Sequence, residues 1–283
     1  MKKTTKKIQD FKTGGKKITA LTAYDYSTAK YFDGAGVDFI LIGDSLGQVV
    51  LGYKNTTSVT MCEMEIFTSA VARGVENAFI VADMPFLSYQ ASVCQAVENA
   101  GTLIRAGANG VKIEGGSDYI INTIAHLVES GVPVMGHLGF TPQFINAIGG
   151  NFIAGKNLEN TLEILEAARR LEAAGVFALV LEMVPKECAK FISENLKIPT
   201  IGIGAGAGCD GQILVSDDVL GRYDNFTPKF ARKYADLKSE ILNAATAYIK
   251  DVEAGVFPNA EESFELSAEE LKKLENFVKN KRV

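Results

Sequence analysis

Four times along this chain a stretch of helical periodicity ends in small residues and glycine and passes at once into a strand-like run. Gly34-Ala35-Gly36 leads into Val37 to Ile42, Ala106-Gly107-Ala108 into Gly110 to Ile113, Ser130-Gly131 into Val132 to Met135, and Ala173-Ala174-Gly175 into Val176 to Leu181. Glycine just past a helix end supplies the positive φ that stops the helix, and the strand then starts immediately. Runs of this kind lie near residues 17–22, 37–43, 79–83, 110–114, 133–137, 177–182, 199–204 and 211–216. Amphipathic segments separate them, with Ile164, Ala168 and Leu171 on one helical face, so successive strands are parallel crossovers. Eight such units predict an α/β fold, a closed (β/α)8 TIM barrel, and 283 residues suit one barrel domain spanning 1–283. From about 227 to 283 the pattern turns to helices only, a C-terminal extension that ends in the capping signature Ser267-Ala268-Glu269-Glu270 before Leu271 and Leu274. This tail is expected to pack on the barrel or on a neighbouring subunit.

Charge and cysteine usage narrow the partners. A net charge of -5 with both signs interspersed leaves no electrostatic footprint for nucleic acid or an anionic membrane, which points to small-molecule chemistry. Lys2, Lys3, Lys6, Lys7, Lys16 and Lys17 form the one basic cluster; no apolar signal core follows, and it reads as a solvated, partly frayed end. Cys62, Cys94, Cys188 and Cys209 are widely spaced and make no C-x-x-C pair, which implies a reducing cytoplasm. No apolar run approaches a membrane span.

Side chains alternate across a strand, so one parity of each barrel strand faces inward. By parity Ile40 and Ile42 align with Asp44, Val81 with Asp83, Lys112 with Glu114, Met135 with His137, and Val180 with Glu182. Polar groups thus gather at the carboxyl ends of five strands, where barrel enzymes build their sites. A scaffold protein has no need of them, and burying them together is costly without a compensating charge. Asp44, Asp83 and Glu114 bring three carboxylates, no cysteine and one histidine, a set suited to a hard cation such as Mg2+. Such an ion would polarise a 2-oxo acid. Taken singly, each of the three reads equally well as a helix cap.

Lys112 must pair with Glu114 structurally or with a substrate carboxylate, and a Schiff-base role is an alternative that neighbouring carboxylates disfavour. Glu182 follows the apolar run Ala178 to Leu181 and precedes Met183-Val184-Pro185, which makes it the candidate general base; the plain alternative is a charge near the start of the next helix. His137 either orients substrate or a second shell of water, or bonds to backbone alone, and His126 reads as structural. Gly206, Gly208 and Gly211 formally fit G-x-G-x-x-G, but a strand follows instead of a helix, so a close backbone approach to substrate or barrel interior is favoured over a dinucleotide cradle.

Read in order, these motifs resemble the ketopantoate hydroxymethyltransferase family. The stretches are Leu21 to Tyr26, Gly43-Asp44-Ser45-Leu46-Gly47, Ala82-Asp83-Met84-Pro85-Phe86, Val111 to Gly116, Gly136-His137-Leu138-Gly139, Leu181 to Pro185 and Ile201 to Gly206. The resemblance implies transfer of a hydroxymethyl group from 5,10-methylenetetrahydrofolate, a cosubstrate, to 3-methyl-2-oxobutanoate through an Mg-stabilised enolate. It implies Asp44, Asp83 and Glu114 as the Mg2+ environment, Asp44, Ser45, Asp83 and Lys112 as the keto-acid site, and Glu182 as proton acceptor. It also implies a homo-oligomer, a decamer of two pentameric rings. The sequence departs from the family pattern at Phe67 and Ser216, where histidines are common. Two rivals stand beside this reading: an Mg-dependent carbon-carbon lyase of the phosphoenolpyruvate/pyruvate-barrel type, and a barrel kept as a structural or regulatory subunit.

Overall fold

A computed structural model describes residues 2–150 and 152–280. Eight parallel strands close on themselves in sequence order: β1 (Ile18–Thr22), β2 (Phe39–Ile42), β3 (Phe79–Asp83), β4 (Gly110–Glu114), β5 (Val134–Gly139), β6 (Ala178–Glu182), β7 (Thr200–Ile203) and β8 (Gly211–Leu214). Every strand expected from the sequence is present, and β1 pairs with β8 to seal the barrel. Gly36, Gly107, Gly131 and Gly175 all carry positive φ at the helix-to-strand joints.

Two apolar layers hold the barrel. Ile18, Ala20, Phe39, Leu41, Phe79, Val81, Met135, Phe177, Ala178, Val180, Ile201 and Ile213 fill the inside, with Phe79 and Phe177 edge to face at 5.3 Å. The opposite parity, including Ile40, Ile42, Ile80, Val111, Ile113 and Leu179, packs with Met64, Leu103, Leu127, Leu171 and Ile192 of the surrounding helices. One parity expectation is corrected here. In β2 the inward residues are Phe39 and Leu41, so Asp44 does not reach the mouth by alternation along Ile40 and Ile42. It does so because the strand ends at Ile42 and the chain turns through Gly43.

The amino terminus also differs from the frayed end expected of it. Thr5–Thr13 is a helix, capped by the Thr4 side chain, and it buries Ile8 and Phe11 in the same cluster as the barrel interior. Lysines fasten it: Lys12 Nζ donates to the Ser193 carbonyl at 2.7 Å and to Asp210 at 2.8 Å, Lys3 Nζ to the Val37 carbonyl at 2.9 Å, and Lys16 Nζ, beyond the helix, to Asp38 at 2.8 Å. Basic side chains here snorkel along an apolar plug, and burying its two large residues stabilises the fold by roughly 1.5–3 kcal/mol each.

The chain divides into two compact units, Met1–Ala235 and Asp236–Val283. In the second, helices span Leu237–Glu253 and Ala268–Asn280, and Tyr248 meets Phe257 edge to face at 5.6 Å. The Ser267 hydroxyl accepts from the Glu270 N–H, as the capping signature predicts. The first of these helices starts at Leu237, about ten residues after the change of pattern in the sequence. Among the described residues no helix is long and apolar enough to cross a membrane.

Candidate active site

Strand register sets the polar ring. In β3 and β4 Asp83 lies beside Lys112, in β4 and β5 Glu114 lies beside His137, and in β6 Glu182 stands two residues beyond Val180, the partner of His137. Side chains on adjacent parallel strands at matched register are neighbours, and contacts follow from that. Lys112 Nζ is 3.1 Å from Asp83 Oδ1 and 3.5 Å from Glu114 Oε1. His137 Nδ1 is 3.3 Å from Glu114 Oε1 and 3.2 Å from Lys112 Nζ, and Nε2 is 3.3 Å from Glu182 Oε2. Asp44 joins at the other end, where its backbone N–H donates to Asp83 Oδ2 at 3.0 Å.

Glycine makes two of these approaches possible. A Cβ at Gly43 would crowd Ser45 Oγ and face Asp83 Oδ2, the oxygen that accepts from Asp44. Gly139 ends β5 with φ 98° alongside Glu182, whose carbonyl a Cβ would strike. Just past Glu182, Met183 takes a left-handed φ of 49°, strain that the hydrogen bond from its N–H to the Ile203 carbonyl helps to hold.

Asp44, Asp83, Lys112, Glu114 and His137 are buried; Glu182 is half-buried. Burial raises the Asp44 carboxyl, and the charges of Asp83 and Glu114 raise it further against the pull of Lys112 and Gln143. Burial likewise lifts Asp83, although Lys112 opposes it. Glu114 is held below the usual range: burial acts against this, but His137 and Lys112 prevail. Burial alone would depress Lys112, yet Asp83, Glu114 and Asp44 keep it above an ordinary lysine. A Schiff-base role needs an uncharged amine, which these three neighbours oppose. For His137, burial and Lys112 push down, while Glu114 and Glu182 outweigh them and bring it to about 9.

Four carboxyl groups therefore face one ammonium and one imidazole; with all four ionised and both bases protonated two negative charges would be left over, the crowding that lifts the Asp44 and Asp83 carboxyls. A divalent cation matches that excess. Asp83 Oδ1 adds a second sign: it is buried with the Lys112 ammonium at 3.1 Å as its neighbour but without a hydrogen bond of good geometry. Among the described residues no three His, Cys, Asp or Glu side chains converge as a complete ligand set. A Mg2+ ion held here would have one or two of these carboxylates as ligands and would complete its coordination with water and substrate oxygens.

The ring opens into a cavity of about 1050 Å³, which Ser45, Asp44, Asp83, Lys112, Glu114, His137 and Glu182 all line. Every site residue expected from the sequence is brought together there. Ser45 is held by the Tyr24 hydroxyl at 2.8 Å. Gly204 and Gly206 also line the cavity, but they abut Phe230 and Lys186, and no helix follows them to hold a phosphate. His126 is exposed on its helix, Ser216 hydrogen-bonds with Thr22, and Phe67 packs on the outer apolar layer. Sequence reasoning missed Gln143, whose side chain reaches Asp44, and Tyr89 and Tyr24 behind the ring. The stretch Thr141-Pro142-Gln143 carried only a turn signal.

Comparison with known proteins gives a concordant picture. Residues 2–260 match the family model for ketopantoate hydroxymethyltransferase. The chain is 53% identical over 275 residues to a 3-methyl-2-oxobutanoate hydroxymethyltransferase of Enterococcus faecalis, covering 97% of this chain and 100% of that one. A protein of the same name from Nitrosopumilus maritimus is 48% identical, covering 97% and 98%. Among solved structures, phosphonopyruvate hydrolase in complex with oxalate and Mg2+ is similar at TM-score 0.60 and 13% identity, covering 96% of this chain and 98% of that one. A 2,3-dimethylmalate lyase of the PEP mutase/isocitrate lyase superfamily has TM-score 0.60 at 14% identity, covering 100% and 98%. At such identities the structural likeness speaks for the barrel alone.

Proposed function

The chain belongs to the ketopantoate hydroxymethyltransferase family of enzymes, and from that premise we propose that it transfers a hydroxymethyl group from 5,10-methylenetetrahydrofolate to 3-methyl-2-oxobutanoate. The product is ketopantoate, in the first step of pantothenate and coenzyme A biosynthesis. The observation that carries this reading is the unbroken line of contacts from Asp44 to Glu182 around one cavity mouth.

Asp44 and Asp83 would hold one Mg2+, with Glu114 beside them in its environment; when bound, that ion would supply polarisation of the keto oxygen. Lys112 faces the cavity from between Asp83 and Glu114 and attracts the substrate carboxylate. Ser45, fixed by Tyr24, donates its hydroxyl to the same substrate. Glu182 accepts the C3 proton, with His137 Nε2 at 3.3 Å beside its carboxylate. Loss of that proton leaves an enolate whose C3 attacks the methylene carbon. One carbon–carbon and one carbon–oxygen bond form and both carbon–nitrogen bonds of the methylene bridge break, with water supplying the new hydroxyl while its proton and the one taken from C3 end on the two folate nitrogens.

The same family membership supports a soluble, cytoplasmic homo-oligomer, a decamer of two pentameric rings, acting on small molecules without nucleic acid or membrane. As to domains, one barrel with a helical extension is the organisation proposed. The deciding experiment incubates purified protein with 3-methyl-2-oxobutanoate, methylenetetrahydrofolate and Mg2+ and reads ketopantoate by mass spectrometry. Formation that depends on all three supports the proposal, and no product under those conditions defeats it.

A further inference from the structure

Gln143 has no part in the chemistry above, yet it is among the most deeply buried polar side chains in the molecule, at 1% exposure. It follows β5 on a single turn, Pro142–Phe144, that the proline starts. A buried primary amide costs several kcal/mol unless its bonds are made, and here they are. Nε2 donates to Asp44 Oδ2 at 2.9 Å and to the Met84 carbonyl at 2.9 Å. Oε1 accepts from the Tyr89 hydroxyl at 2.7 Å, and the backbone N–H donates to Glu114 Oε2 at 3.1 Å.

The proton arrangement has one solution. The Met84 carbonyl can only accept, so the NH2 side of the amide must face it. Oε1 then faces Tyr89, whose hydroxyl donates to it at 2.7 Å in preference to the Glu114 carbonyl at 3.4 Å, and accepts from the Glu114 N–H at 3.4 Å. The second amide hydrogen is left for Asp44. Asp44 and Glu114 stand at the ends of β2 and β4, which are separated by β3, so strand pairing does not set their relation. One residue touches both carboxylates.

We propose that Gln143 is a positioning residue which, oriented by Tyr89, fixes Asp44 relative to Glu114 and thereby shapes the carboxylate site for a divalent cation and the keto acid. This rests on the metal and keto-acid reading given above. Groups that orient ligating carboxylates typically carry about 10- to 100-fold of metal affinity or activity. Leucine at 143 keeps the volume and removes both donations and the acceptor. Phenylalanine at 89 keeps the ring and leaves the amide oxygen without its donor, so that only the NH2 side still holds the amide.

The test titrates Mn2+, as a spin probe, into each protein with 3-methyl-2-oxobutanoate present and reads free Mn2+ by electron paramagnetic resonance. Exchange of the C3 proton into deuterated water at saturating Mg2+ is the second readout. Gln143→Leu is expected to weaken Mn2+ binding about tenfold or more and to keep exchange slow even when metal is saturating. Tyr89→Phe is expected to weaken binding about threefold with its circular dichroism unchanged, an effect at the low end because the amide itself remains. Mn2+ affinity and exchange within twofold of wild type in both variants would overturn the inference while leaving the functional reading in place. If Gln143→Leu does not fold, Tyr89→Phe alone decides between these outcomes. Wild-type protein that binds no Mn2+ would sink the metal reading itself, and the inference with it.

Discussion

Glu182 differs from its neighbours in the polar ring in being open to the cavity. Its side chain is 17% exposed, against 5% or less for Asp83, Lys112, Glu114 and His137. A carboxylate that must take a proton from substrate needs that access, whereas groups that hold charge in place do not. Glu182→Gln keeps the shape and the contact with His137 but cannot accept a proton. Exchange of the C3 proton of 3-methyl-2-oxobutanoate into deuterated water is therefore expected to fall ~10²- to 10⁴-fold, with keto-acid affinity by calorimetry within a few-fold of wild type. Undiminished exchange would remove Glu182 from the base role. Parity along β6 and the apolar run before it made this residue legible in the sequence. Gln143 was not, because its importance lies in partners from three other segments, Asp44, Met84 and Tyr89, and no local period encodes them.

Single carboxylates also tie one secondary-structure element to the next. Asp33, in the last turn of the helix Tyr26–Ala35, accepts from the backbone N–H groups of Glu76, Asn77 and Ala78 and so anchors the approach to β3. Burial would raise its pKa, but these donors together hold it below an ordinary carboxylate. The unfolded value is about 3.9, so the stabilisation is present above that pH and is lost as pH falls through the lower folded value. Asp33→Asn is expected to cost about 1.5–3 kcal/mol at pH 7 by urea unfolding, and the gap from wild type should narrow toward pH 3. A gap that stays constant over this range would show that charge plays no part. The amino-terminal helix makes a second case at this scale. Its lysines dominate the composition and suggested a frayed end, whereas its structural content lies in two residues, Ile8 and Phe11, set three apart on one face. Phe11→Ala should cost about 3–5 kcal/mol, and a change below 1 kcal/mol would mean the plug does not stabilise the barrel. With only two large apolar residues among its lysines, this helix could be recognised as a plug only once the barrel was closed.

At the scale of the whole molecule, the eight-fold alternation of helix and strand was legible because each unit repeats the same punctuation, and closure follows from the number of units. What did not follow from that pattern was the route of Asp44, which departs from strand parity at the turn through Gly43. Crowding four carboxyl groups beside two bases leaves the metal-free ring under electrostatic strain, which the raised Asp44 and Asp83 carboxyls express and a divalent cation would relieve. Any ligand that binds the folded state alone stabilises it by about 2.7 kcal/mol at 100 times its Kd. With about 2–4 °C per kcal/mol for a barrel of this size, Mg2+ and 3-methyl-2-oxobutanoate together should raise the unfolding temperature by roughly 5–10 °C. Asp83→Ala removes one of the two carboxylates proposed to hold the cation and lowers the negative excess in the ring from two to one. Its metal-free form is therefore expected to unfold no more than a few degrees below wild type, while the rise on adding Mg2+ disappears. Scanning calorimetry of both proteins with and without Mg2+ at fixed keto acid separates the two effects. An equal rise in wild type and Asp83→Ala would place the cation elsewhere than on Asp83.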